Sequence, residues 1–337
     1  MRKLRYKAMA VTVALAVLAF LGAQRLQLIP GPWSKPKANH TRMSRDQIIA
    51  AFSAAIDANP EDYMTYYRRG TQLQKQRRYE EALADLNAAI KLSPTPMSLQ
   101  DLGERINDSA LPETHTLGLV VLIHTTRAEI LQLMNRPEEA LADLDRALSF
   151  DGRKIETIYT RGQLRTVTGR YDEAIADFDA ILERRATSPW HFGRGVAKYL
   201  KADWHGAIAD FQETVRRSPA DDASLIWLAK AHLRAGVPMP PQLFAAVEQH
   251  SDARYVIEAF MTKFDAAQFV SSVRAGAAYG SRHGDACGTA LFIGEWLVIQ
   301  KMNKAARDSF SEAEANCRPL SVERAVATVE LQRISTP

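Results

Sequence analysis

The chain has 337 residues, with 43 basic against 39 acidic side chains and only two cysteines. Its net charge of +4 comes from the first 45 residues, which hold nine lysines and arginines and no acid; the other 292 carry 34 basic and 39 acidic side chains, a net of about −5. A basic body built for nucleic acid is thereby excluded, and no nucleic-acid partner is expected.

The first element is a targeting segment. Arg2, Lys3, Arg5 and Lys7 precede an uncharged, mainly apolar run from Ala8 to Ala23, the form of a secretory signal. As a helix, that run spans about 24 Å, short of the roughly 30 Å hydrocarbon core. Residues 1–25 are therefore read as either a cleaved signal peptide or a retained signal anchor, which would tie the chain to a membrane. In both cases the positive flank stays inside and the body faces the far side. Residues 26–43, rich in proline and basic residues, form a linker. Residues 44–60 follow as the second helix of a repeat whose first helix is missing.

From residue 63 the text repeats. Arginine is followed sixteen positions later by aspartate at Arg69 and Asp85, Arg127 and Asp143, Arg161 and Asp177, and Arg194 and Asp210. Gly70, Ala128, Gly162 and Gly195 occupy one small position, and Ala82, Ala140, Ala174 and Ala207 another twelve residues on. Leu86, Leu144, Phe178 and Phe211 follow one helical turn later. Such a period means stacked antiparallel helical hairpins, each unable to bury its apolar face alone. The pattern resembles the tetratricopeptide repeat (TPR), which implies an all-α, TPR-type solenoid. Repeats are placed at residues 63–96, 121–154, 155–187 and 188–221. Each Arg–Asp pair has one member on each helix of its hairpin, beside the small residues. It is read as a structural ion pair, since a partly buried charge needs a partner.

Residues 97–120 are an insertion, in which 97–107 suits a short helix and Pro112 ends or limits it. After 221 the period degenerates. Residues 222–236 read as a first helix, further helices are expected at about 241–249 and 252–275, and the pattern returns in a final repeat at 287–319. There Ile293 and Ser309 replace the ion pair. A helix at 321–334 should cover the exposed end, with 320–337 as cap and tail. This terminal arrangement resembles bacterial envelope TPR proteins of the NlpI kind, which implies a cell-envelope location, periplasmic or anchored to the inner membrane. The chain differs from them in lacking a cysteine just after its signal, so it is not expected to be a lipoprotein.

Cys287 and Cys317 stand at opposite ends of the final hairpin, points that an antiparallel fold brings together. In an exported chain they read as a disulfide. The alternatives are two free thiols or a metal pair, but no CxxC and no histidine at ligand spacing supports a metal. No HExxH, GxSxG or Walker loop occurs, and His283, Asp285 and Cys287 form the closest polar cluster without an evident orienting scaffold. His124 and His191 read as core histidines. No cofactor or metal is expected, and the chain reads as non-enzymatic.

The first helices of a TPR array line its concave side. Tyr67, Thr125, Tyr159 and Phe192 share one position there, giving an aromatic row. Neighbouring positions carry Thr71, Gln74, Glu129, Gln132, Gln163, Thr166, Val196 and Tyr199. Rings supply apolar area and amides pair with backbone, a surface suited to an extended or helical peptide; the competing reading packs the rings against neighbouring repeats. The leading expectation is a non-catalytic interaction adaptor at the envelope, binding a partner protein or peptide in this groove. The alternative is a periplasmic chaperone or assembly factor for a secreted or membrane complex. An enzyme with a site in 237–286 would depend on His283 or Asp285.

Overall fold

An amphipathic hairpin leaves one apolar stripe uncovered, so it is stable only when another hairpin covers it. The computed structural model describes residues 43–94, 112–184, 188–219, 221–240, 252–261, 265–275 and 285–335. The chain divides into two units, residues 1–48 and 49–337. The targeting segment, the linker, His283 and most of the insertion lie outside the described residues. In the first unit Ser44 caps the start of α1 (Arg45–Ala58): its hydroxyl accepts from Gln47 N at 3.2 Å, and Gln47 Oε1 accepts from Ser44 N at 2.8 Å.

The second unit is an α-solenoid, without strands among the described residues. Its first two hairpins are α2 (Tyr63–Lys75) with α3 (Tyr79–Leu92), and α4 (Pro112–Leu133) with α5 (Pro137–Phe150). Then come α6 (Ile155–Val167) with α7 (Tyr171–Leu182), and α8 (Ser188–Lys201) with α9 (Trp204–Arg217). The irregular stretch gives α10 (Asp222–Ala235), α11 (Asp252–Met261) and α12 (Ala266–Arg274). The final hairpin is α13 (Ala286–Ile299) with α14 (Asn303–Asn316), followed by α15 (Val322–Ser335).

The small residues set how closely the paired helices approach. A Cβ on Gly195 would stand 2.7 Å from the fully buried ring of Phe211, and one on Gly294 at the same distance from Phe310. Where the buried partner is Leu144, the equivalent position holds Ala128.

Two boundaries differ from the sequence reading. Pro112 opens α4 instead of ending a helix, because a proline in the first turn forfeits no intrahelical hydrogen bond. The second hairpin therefore starts nine residues before the expected boundary at 121. The helix expected over 252–275 is two helices: Asp265 accepts from Gln268 N at 2.9 Å and so caps a fresh start at α12.

Candidate functional site

The charged residues of the repeats are largely engaged with one another. Arg69 Nη2 donates to Asp85 Oδ1 at 2.7 Å, Arg127 Nε to Asp143 Oδ2 at 2.7 Å, Arg161 Nη2 to Asp177 Oδ1 at 2.6 Å, and Arg194 Nε to Asp210 Oδ2 at 2.9 Å. Each arginine also reaches back to the preceding second helix. Arg69 Nη1 meets Ser53 Oγ at 3.0 Å, Arg127 Nη1 meets Asn87 Oδ1 at 2.6 Å, Arg161 Nη1 meets Asp145 Oδ1 at 2.6 Å, and Arg194 pairs with Asp179. One guanidinium thus closes its own hairpin and fastens the previous one.

Sequence reasoning missed the other donors on these aspartates. His124 Nδ1 lies 2.9 Å from Asp143 Oδ1, Arg165 Nη1 donates to Asp177 Oδ2 at 2.8 Å, and Lys198 Nζ donates to Asp210 Oδ2 at 2.8 Å. Burial pushes Asp143 and Asp210 up, yet hydrogen bonds from His124 and Arg127, and from Arg194 and Lys198, outweigh it and hold both below the usual carboxylate range. Both therefore stay ionised at neutral pH. A hollow of 380 Å³ lies over the second pair, but its charged walls are already partnered: Arg127 with Asp143, Arg136 with Glu139, and Arg146 4.4 Å over the ring of Phe150.

The first helices carry the other concentration of chemistry. Glu129 and Gln163 are exposed there, and Gln74 Nε2 reaches Glu129 Oε2 at 3.3 Å. Tyr67, Thr71, Thr125, Gln132, Tyr159 and Phe192 are half-buried. The rings pack against neighbouring aromatic side chains, as the competing reading expects. Tyr159 packs edge-on against Phe178 and Trp190, and Phe192 against Trp227, while each keeps a side on a pocket of 240 Å³. Burial raises the Tyr159 hydroxyl, partly offset by its hydrogen bond from Gln163 at 2.9 Å, so it stays neutral.

Three of the expected groove residues are buried. Thr166 gives its hydroxyl to Gly162 O at 2.8 Å and, with Val196, forms only the floor of the pocket. Tyr199 leaves the site altogether, because its ring is sealed between Trp204 and Trp227 at 4.9 and 5.1 Å.

α15 does more than cap α14: it lies against α6, α8 and α13, and Leu320 and Val322 complete the pocket wall. Arg333 Nη2 donates to Leu200 O at 2.6 Å, at the C-terminal end of α8 where carbonyls lack helical partners. Arg333 and Arg234 both pair with the buried Glu330, and Lys230 Nζ stands 2.7 Å from Glu295 Oε1. Burial raises the Glu295 carboxyl above its ordinary value in spite of Lys230.

Residues 63–96 and 159–222 each match a family model described as the tetratricopeptide repeat. The chain carries tetratricopeptide repeats. The TPR repeat-containing thioredoxin TDX of Arabidopsis thaliana is 23% identical over 148 residues, 44% of this chain and 29% of that protein. A DnaJ homolog subfamily C member 7 homolog of Schizosaccharomyces pombe is 27% identical over 88 residues, 26% of this chain and 18% of its own. The TPR chain thus spans less than a third of these relatives. Among solved structures, a tetratricopeptide repeat protein from Parabacteroides merdae, 17% identical, covers 85% of this chain and 92% of its own with a TM-score of 0.49. TPR proteins in general mediate protein–protein interaction and are typically non-enzymatic scaffolds.

In the final hairpin Cys287 and Cys317 are joined as a disulfide, with Cα atoms 4.8 Å apart. Asp285 accepts from Gly288 N at 2.7 Å and so caps α13. Among the described residues no group of three or more His, Cys, Asp or Glu is disposed to hold a metal, and no helix is long and apolar enough to cross a membrane.

Proposed function

We propose that this chain is a non-catalytic adaptor that binds a partner protein or peptide on the inner face of its TPR array, in an oxidising compartment at the bacterial cell envelope. The observation that carries the reading is a contrast. The charged side chains of the hairpins are engaged in fastening the stack, whereas the inner face keeps aromatic edges, exposed Glu129 and Gln163, and an open pocket. Such a face offers area and hydrogen bonding but no nucleophile with an activating base. The compartment is argued from the basic, apolar N-terminus, and the Cys287–Cys317 pair is consistent with it.

A photo-crosslinking side chain at Gln163 or Glu129, in intact cells, is expected to capture one partner. The same side chain at Ser149 or Glu183, exposed on second helices or just past them, should not. Capture from Ser149 and Glu183 alone would remove the inner-face reading. A reporter active only in the cytoplasm, fused after Pro337, should be silent; strong activity would remove export.

A further inference from the structure

We infer that residues 318–322, the turn before α15, are an autoinhibitory strap: they lie across α6 and α8, over the surface a partner would use, and must swing away before a partner can follow the array from Tyr159 to Phe192. The inference rests on the adaptor reading and adds its regulation. Its first support is the position of the turn. Leu320 and Val322 line the same cavity as Tyr159, Gln163 and Phe192, so a segment laid along those residues meets them.

The second support separates the strap from an end cap. Capping the final hairpin falls to Ala325, Val326 and Ala327, which are buried in one core with Ala306, Phe310 and Ala313 of α14. Leu320 does not belong to that core. It packs against the buried cluster of Ala128, Leu131, Leu144 and Leu164 in α4, α5 and α6, a contact that sealing the end of a stack does not require.

The third support is how the strap is held. Its own bonds stay local, with Ser321 N donating to Arg318 O at 3.3 Å and Arg324 N to Ser321 Oγ at 3.2 Å. The hold on α6 and α8 is therefore the apolar contact of Leu320 and Val322, both half-buried, together with the far tie from Arg333 Nη2 to Leu200 O at 2.6 Å. Leu320 keeps a left-handed φ of 55° there, a conformation that disfavours leucine and is relieved on release. Just before the strap, buried Cys317 is bonded to Cys287, so the final hairpin stays closed while the residues past it swing.

The test places p-benzoylphenylalanine, a photo-crosslinking side chain, at Gln163 of the full chain and compares the native strap with Leu320→Asn and Arg333→Met. Asparagine tolerates the left-handed backbone and removes the apolar contact, whereas Arg333→Met removes the far tie. In the purified chain with the native strap, the crosslink should form within the chain, on residues 318–322. In intact cells each variant should raise the ratio of partner-bound to intrachain product at least about tenfold, the change expected when one buried leucine or one bond from a charged donor no longer holds the closed form. Circular dichroism checks that each variant keeps its helices; if Leu320→Asn fails to fold, Arg333→Met decides. No intrachain crosslink to residues 318–322, or an unchanged ratio in the folded variants, would overturn the inference and leave the adaptor reading standing. Partner crosslinks confined to Ser149 and Glu183 would remove the adaptor reading and the inference with it.

Discussion

At the scale of single residues, the sixteen-residue spacing of arginine and aspartate fixes which side chains meet, because the turn between the two helices has nearly the same length in each hairpin. It does not fix how many donors each aspartate collects. That depends on residues one turn before or after the arginine, on the same helical face. Arg161 and Arg194 are followed four positions later by Arg165 and Lys198, and Arg127 is preceded three positions earlier by His124, all within reach of the same carboxylate. Around Arg69 those positions hold Tyr66 and Leu73, and among the described residues Arg69 is the only cation within ion-pair distance of Asp85. The lattice should therefore respond unequally. Arg69→Met strands a buried carboxylate and is expected to cost about 2–4 kcal/mol, allowing for the partial exposure of the pair. Arg161→Met leaves Asp177 with Arg165 and should cost about half as much. Urea denaturation of the two variants measures the difference, and equal losses would show that the second donor contributes nothing. His124 was legible as a buried residue from its place in the repeat. Its bond to Asp143 was not, because a histidine at a packing position gives no sign of which carboxylate it meets.

At the scale of helices and turns, the hairpins share a device that composition hides. One or two residues past the end of each first helix the chain takes a left-handed conformation, at Arg77, Asn135, Gly169, Ala202 and Lys301, with φ between 57° and 82°. The following N–H then bonds back five residues, as Arg78 N does to Leu73 O at 3.0 Å and Asp203 N to Lys198 O at 2.9 Å. This satisfies a carbonyl that the helix end leaves open. Of these five turns, two carry the glycine or asparagine suited to that conformation, Gly169 and Asn135; the other three accept a side chain that it disfavours. Tertiary packing of the hairpin outweighs that local preference, since a left-handed L-residue costs about 1–2 kcal/mol. Ala202→Gly should release the strain against a smaller loss from the freer unfolded chain, raising stability by about 0.5–1 kcal/mol. An unchanged or lowered melting temperature would mean that the turn is not strained. The same competition explains the two misplaced boundaries: Pro112 and Asp265 act through their position at a helix start, and the periodic pattern is blind to that position.

At the scale of the whole repeat unit, the period predicts a stack in which each hairpin touches only its neighbours, and it is silent about what the last helix covers. α15 breaks that rule. Arg333 donates to Leu200 O across 133 residues of sequence, its guanidinium lies 4.8 Å over Trp204, and its Nη1 meets Glu330 at 2.5 Å. No repeat position marks these residues, so the pocket wall at Leu320 and Val322 could not be read in advance: it follows from a segment arriving from far along the chain. The burial of Tyr199 is a local matter of Trp204 and Trp227 in the next two helices. The physical consequence is coupling. An open array can unfold piecemeal, hairpin by hairpin, whereas a helix tying the final hairpin to α6 and α8 makes loss of one end expose the apolar core of the middle. Arg333→Met removes the tie to the α8 carbonyls but leaves Glu330 paired with Arg234 at 3.1 Å. It should therefore loosen α15 without stranding a buried charge, at about 1–3 kcal/mol for hydrogen bonds from a charged donor. Unfolding followed by tryptophan fluorescence and by far-ultraviolet circular dichroism should then separate into two transitions, the earlier one reporting Trp204 as α15 releases it. If both probes still trace one coincident and unshifted curve, α15 does not couple the ends of the stack, and each hairpin is stabilised by its neighbours alone.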